Sequence, residues 1–354
     1  MAGNPLASGA VDVVSIHEDP LIAIPNPPRR VPPLIRVLDA LLAHLVVALI
    51  ALVGIGGATR VMQAGLACPD WPLCYGSLLP GRQMNLQVFL EWFHRLDAFL
   101  VGVALLVVAA LSLVRRSQVP PWLPWAAGMA LALVALQGGL GALTVLGLLA
   151  SSTVTAHLVT ALLLVLLVSA MHQALRSTCV DWGSGGFGAG MAFGTDGGMV
   201  GAPPPPAWWT VLLACSSLTL LGQCALGGAM ASRWASSLCL EAGEGCRWLL
   251  SHRLGAWSAL AALLLPALLA HGLPGLPAGL RRLTLAPALL APVQVALGVF
   301  TLRLQLQQPL VTVAHQLLAA LLVGLFGALW GITLAARVPA QVPPLTPSLE
   351  MAHG

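Results

Sequence analysis

Glu91 and His94 stand three residues apart at the start of an apolar run, with Arg95 directly after. Residues spaced i, i+3 share a helix face. An ionisable side chain carried into a membrane helix is costly unless it has a partner or a ligand, so the pair marks a candidate site. Three more histidines, His157, His252 and His315, fall near the starts of other apolar stretches. Two imidazoles at matched depth on different helices are what a six-coordinate haem iron takes, one on each side of the porphyrin plane. Zinc would want three or four clustered ligands.

The elements that must carry these residues follow from composition. The chain has 354 residues, of which 58% are hydrophobic and 8% charged, with a mean hydropathy of +0.89. That excludes a soluble globular domain and predicts an all-α, polytopic membrane protein. No charge lies between Asp39 and Arg60, or between Asp97 and Arg115, and the charge-free stretch from Arg116 to Arg176 is long enough for two spans. Further spans are expected at Trp208 to Ser232, Trp248 to Ala270, Leu283 to Leu302 and Pro309 to Leu334, for eight in total. Threading eight spans puts Arg29, Arg30, Arg36, Arg115, Arg116, Arg176, Arg281, Arg282 and Arg337 on one side. The positive-inside bias then places both termini in the cytoplasm. The net charge of +4 is thus a matter of topology, and no nucleic-acid partner is expected. Trp122, Trp125, Trp208 and Trp209 read as interfacial anchors.

The histidines become an architecture once the chain is tested for self-similarity. His94-Arg95-Leu96 and Ala98 return as His252-Arg253-Leu254 and Ala256, and Ala156-His157 returns as Ala314-His315 at the same interval. Gln137, Leu140, Gly141 and Thr144 match Gln294, Leu297, Gly298 and Thr301, and upstream Gly56-Gly57 matches Gly227-Gly228. The expected fold is therefore two tandem four-helix bundles, parallel repeats related by a pseudo-twofold axis along the membrane normal. Each histidine then lies on the order of 8 to 10 Å below the outer interface, at 1.5 Å per residue. Gly141 and Gly298 are placed to admit the porphyrin, and Arg95 and Arg253 to meet propionates. His44, alone in the first span, reads as hydrogen-bonded to a neighbouring helix. His172 and His271 read as interfacial.

Cys68 and Cys74 bracket an outer loop, CPDWPLC, and Cys239 and Cys246 bracket its shorter counterpart. With no histidine nearby, both pairs fit disulfides better than metal sites, in a structural or a redox role. The halves differ at one telling position. The residue equivalent to Glu91 is Leu249, so only the first half has a carboxylate beside its histidine. A carboxylate there suits proton transfer or stabilisation of developing positive charge. Capping the span, or pairing with Arg95 at i, i+4, is the plainer alternative.

These residues resemble the haem A synthase family. The resemblance runs from Gly56 to about Trp330 and rests on Gly56-Gly57-x-Thr59-Arg60, the CPDWPLC loop, Glu91-x-x-His94-Arg95, and the single histidines of the fourth, sixth and eighth spans. It implies two four-helix bundles and oxidation of a ring methyl of haem O to the formyl group of haem A, for cytochrome oxidase, by successive hydroxylations. It further implies that His94 and His157 flank substrate haem O, that Glu91 is catalytic, and that His252 and His315 hold a permanent haem b. Cys68 and Cys74 would be the outer-loop disulfide.

The expected domains are a disordered tail over 1–35, a substrate-haem bundle over 36–176, a Gly/Pro-rich linker over 177–207, a haem b bundle over 208–336 and a tail over 337–354. The amino-terminal stretch has neither the charged start nor the apolar run of a signal peptide, which fits a bacterial inner membrane. A haem O synthase and an electron acceptor are the expected partners, beside the bilayer. The competing reading is a diheme b-type electron carrier exchanging electrons with quinone, which needs the four histidines but not Glu91. A transporter would place ionisable residues nearer the midplane.

Overall fold

The structure is a computed structural model and describes residues 31–180, 204–231, 241 and 246–337. Cys239 and most of the expected tails and linker lie outside them. Among the described residues, eight helices are long and apolar enough to cross a membrane. They are α1 (Pro33–Val61), α2 (Leu86–Val114), α3 (Trp122–Leu146), α4 (Ser151–Val180), α5 (Ala207–Met230), α6 (Arg247–Gly272), α7 (Ala278–Arg303) and α8 (Pro309–Ala335). The protein is all-α and an integral, multi-pass membrane protein.

Local chemistry explains several of the ends. Proline occupies the first turn of α1 and α8, where a missing N–H costs nothing. Asn85 caps α2, its side chain accepting from the Val88 amide at 3.0 Å. α1 starts at Pro33, ahead of the charge gap that opens at Asp39, and α7 at Ala278 rather than Leu283. Charge gaps measure the hydrocarbon thickness, whereas helical backbone continues past Arg36, Asp39, Arg281 and Arg282 into the headgroup layer, where charge is tolerated.

Helices α1 to α4 close into a ring of neighbours, α1 on α2, α2 on α3, α3 on α4 and α4 on α1, and α5 to α8 do the same. The connections inside each ring are alike. Leu148 and Leu149, between α3 and α4, take φ of 51° and 62°, and Gln305 and Leu306, between α7 and α8, take the same two values. Left-handed backbone at a non-glycine residue costs roughly 1 to 2 kcal/mol. Its recurrence at matched positions gives the sequence repeat a local structural counterpart.

The halves join chiefly through α4 and α8, with α1 on α8 and α4 on α5 beside them. Gly324, Gly327 and Gly331 line the α8 side of this seam. A Cβ at Gly327 would run into the Leu166 carbonyl, and one at Gly331 would sit 2.5 Å from the Ala170 carbonyl. Small residues permit this approach, and Ser169 Oγ adds a bond across it to the Gly324 carbonyl at 2.6 Å. Trp209, expected at the interface, is fully buried and donates to Thr333 Oγ1 at 2.9 Å. Its indole belongs to the contact between α5 and α8, because an N–H with an internal partner has no need of the headgroups.

Candidate functional site

The helices that begin at the end bearing the CPDWPLC loop are α2, α4, α6 and α8, and each carries its histidine within its first few turns. His94 and His157 come together, with ring centres 6.5 Å apart and planes at 73°. Two imidazoles this close, carried on different helices, could hold one iron between them.

What holds the rings differs from expectation. Gly56 of α1 lies against His94, where a Cβ would be 3.1 Å from Cε1, and Gly141 of α3 lies against His157 at 3.5 Å. In the second half Gly227 meets His252 at 2.9 Å and Gly298 meets His315 at 3.0 Å. Gly141 and Gly298 thus make room for the imidazole of the neighbouring helix, and Gly141 also lines the cavity. Nδ1 of His94 is buried without a hydrogen-bond partner among the described residues, so packing on glycine sets that ring, whereas His157 and His315 also meet the backbones of Gln137 and Gln294, matched positions of the repeat. His252 is held differently. Gln223 Nε2 donates to its carbonyl at 2.8 Å and lies 3.1 Å from its Nδ1.

His94, His157 and Glu91 line one cavity of about 1390 Å³. That exceeds the roughly 300 to 1,000 Å³ of ordinary small-molecule pockets, as a macrocycle demands. A smaller depression of about 420 Å³ takes in Leu249 and Arg253, and its lining contains neither His252 nor His315.

Glu91 is 4% exposed. Its Oε2 accepts from the Cys68 amide at 2.7 Å, and its Oε1 pairs with Arg95 at 2.5 Å. Arg95 also donates to the carbonyls of Asp70 and Leu73, at 2.7 and 2.5 Å. The carboxylate beside His94 is thereby tied to the loop that Cys68 and Cys74 close with a disulfide. Both cysteines are buried, at 0% and 2% exposed, and pack with Val88. Asp70 closes the loop from within, accepting from the Tyr75 and Gly76 amides at 2.7 Å each. The Gly76 amide, followed by that of Tyr75 and the Arg95 charge, holds this carboxyl below its ordinary range against desolvation. Cys246 is disulfide-bonded as well, and it caps α6 through the Leu249 amide.

Other histidines stand apart from the cavity. His44 is exposed and bonds the Ala40 carbonyl of its own helix at 2.6 Å, so the expected partner on a neighbouring helix is not the one it uses. His271 does likewise with Ala267. His172 lies 3.4 Å from Asp39. Arg60, which closes the Gly56–Arg60 motif, and Gln316, which no sequence motif includes, line the same cavity and bond each other at 2.8 Å. Arg60 is matched by Ala231 in the second half, an asymmetry of the same kind as that at Glu91.

The fold and site define a class of eight-helix membrane protein with a loop-capped cavity lined by two imidazoles and a carboxylate. Residues 39–326 match the COX15-CtaA family, described as cytochrome oxidase assembly protein, and the chain belongs to that family. It is 28% identical over 200 residues to a protein of Shewanella oneidensis described as heme A synthase, covering 52% of this chain and 54% of the relative. The chain thus spans about half the length of that curated relative.

Proposed function

We propose that the protein is a haem A synthase, oxidising a ring methyl of haem O to the formyl group of haem A for cytochrome oxidase. The observation that carries this reading is the His94–His157 pair, 6.5 Å apart in a cavity that Glu91 also lines. Family membership and the likeness to the Shewanella oneidensis protein support it.

In this account His94 and His157 flank the substrate iron, and Gly56 and Gly141 fix their rings. Methyl to aldehyde is a four-electron oxidation: balanced with one water, it releases four protons and four electrons. Two hydroxylations followed by loss of water from a gem-diol achieve it. Arg95 and the Cys68 amide fix the two oxygens of Glu91, one contact each. Its proposed work is to take a proton from the methyl group or to stabilise positive charge developing there. The buried disulfide fixes the loop from which the Cys68 amide reaches Glu91.

His252 and His315 are proposed as ligands of a resident haem b. The glycine contacts at Gly227 and Gly298 match those in the first half and fit paired imidazoles there. Such a haem, when bound, supplies one-electron transfer. Gln223 fixes His252 in place, and Arg253, one residue outward, is the candidate propionate partner of this half. A pseudo-twofold relation between the bundles, supported by the matched turns, would set both histidine pairs at one depth. Cys239 is the proposed partner of Cys246. The proposed setting is a bacterial inner membrane with both termini cytoplasmic, a haem O synthase upstream and a separate electron acceptor.

The test is to produce the chain beside a source of haem O and to analyse extracted haems. Formyl haem with the wild type, lost in Glu91→Ala, is the expected result. Bound haem without formyl product in active membranes would point instead to a diheme electron carrier, which has no need of Glu91.

A further inference from the structure

Arg60 ends α1 at the cavity wall, and Gln316, the residue after His315, reaches the same wall from α8. Gln316 Nε2 donates to the Val53 carbonyl at 3.0 Å, which turns its Oε1 toward Arg60 Nη2, 2.8 Å away. Gly57 makes room for this, since a Cβ there would lie 2.8 Å from Oε1. The same contact exists across the repeat with different chemistry. Gly228 matches Gly57 and receives Leu158, the equivalent of Gln316, at 2.9 Å, and the equivalent of Arg60 is Ala231. A polar pair thus stands on one side only, and it is the side that carries Glu91.

Arg60 has no carboxylate partner among the described residues. The ion pair at the cavity joins Arg95 to Glu91 and leaves Arg60 out, and the hydrogen bond from the Arg60 side chain goes to a neutral amide. A guanidinium at the end of a membrane span, facing a cavity whose lining carboxylate Glu91 is already paired with Arg95, is costly until a further anion arrives, and its planar fork suits a carboxylate. Arg95 is differently placed, because its donors serve Glu91 and the loop carbonyls.

We propose that Arg60, held in position by Gln316 from the second half, anchors a carboxylate of the ligand in the first-half cavity. For haem O that group is a propionate, so the inference rests on the reading above. Arg60 supplies the charge, and Gln316 is a positioning residue. Each substrate would then be gripped by both halves of the chain.

The experiment titrates full-length protein in lipid nanodiscs with haem O and with its propionate dimethyl ester, following the Soret shift. Wild type is expected to bind the acid at least about tenfold more tightly than the ester. Arg60→Gln should bring the two within about twofold, Arg60→Lys should keep part of the preference, and Gln316→Leu should weaken acid binding while leaving ester binding unchanged. The spectrum of the resident second-half haem reports that each variant is folded. Equal binding of acid and ester by wild type, or a full preference kept in folded Arg60→Gln, overturns the proposal. Binding of neither form by wild type would sink the haem O reading itself.

Discussion

Glu91 draws its two hydrogen bonds from different places, one from a side chain four residues along its helix and one from the backbone of a disulfide-closed loop. Replacing it with glutamine keeps the shape and removes the charge. Glu91→Gln is expected to lower formyl-haem output about a hundredfold or more, with haem content in the second half unchanged. Extracted-haem chromatography reads both. Asp70 carries a pH dependence in the same loop. Its folded-state pKa is lowered from the ordinary 3.8, so the stabilisation it gives is complete above that value. It is lost as the pH falls below 3.8, through the lowered folded-state value. Proteolysis of the loop should accordingly be faster in Asp70→Asn than in wild type at neutral pH, and the two should converge in strong acid. Equal loop lifetimes at neutral pH would show that the two amide bonds do not hold the loop.

At the scale of elements, four glycines on odd-numbered helices meet four histidines on even-numbered ones. The separations predict a graded response. Gly227→Ala, with a Cβ 2.9 Å from His252, and Gly298→Ala and Gly56→Ala, at 3.0 and 3.1 Å, must push the ring. Gly141→Ala, at 3.5 Å, is ordinary contact. Overpacking of this kind costs about 1 to 3 kcal/mol. The first three should shift the low-spin electron paramagnetic resonance of the haem in their own half, and Gly141→Ala should leave it unchanged. A uniform response would show that packing on glycine does not orient the rings. The helices that carry the histidines and the approach of His94 to His157 were legible in the sequence, because charge gaps and the internal repeat are written in residue types. The partner of each glycine was not, since a glycine has no side chain to announce what approaches it. Nor was the role of Arg95: a guanidinium beside a ligand reads equally as a propionate partner or as a loop clamp, and only the carbonyl positions of Asp70 and Leu73 separate the two.

For the whole molecule, the seam of α4 and α8 decides whether two four-helix units act as one protein. Gly327 and Gly331 meet backbone rather than flexible side chains, so a larger residue cannot be absorbed locally. Gly327→Val is expected to cost several kcal/mol and to reduce haem retention in both halves together, read as haem per polypeptide after detergent extraction. Loss confined to one half would show that the units are independent. Helix count and order were readable from hydropathy, whereas this seam was not, because lipid-facing and helix-facing apolar surfaces are written in the same residues. Trp209 shows the difficulty: a tryptophan at a span end suits the headgroup layer, yet Thr333 gives it a buried partner.

The central claim is that the two histidine pairs divide the work, one for the substrate and one for a resident cofactor. Its most direct test is the haem inventory of purified His94→Ala and His252→Ala variants, made alongside a haem O source. The account predicts that His94→Ala keeps one haem b per chain and yields no formyl haem, whereas His252→Ala loses that haem b. Loss of the same haem from both variants, or formyl haem from His94→Ala, would contradict it.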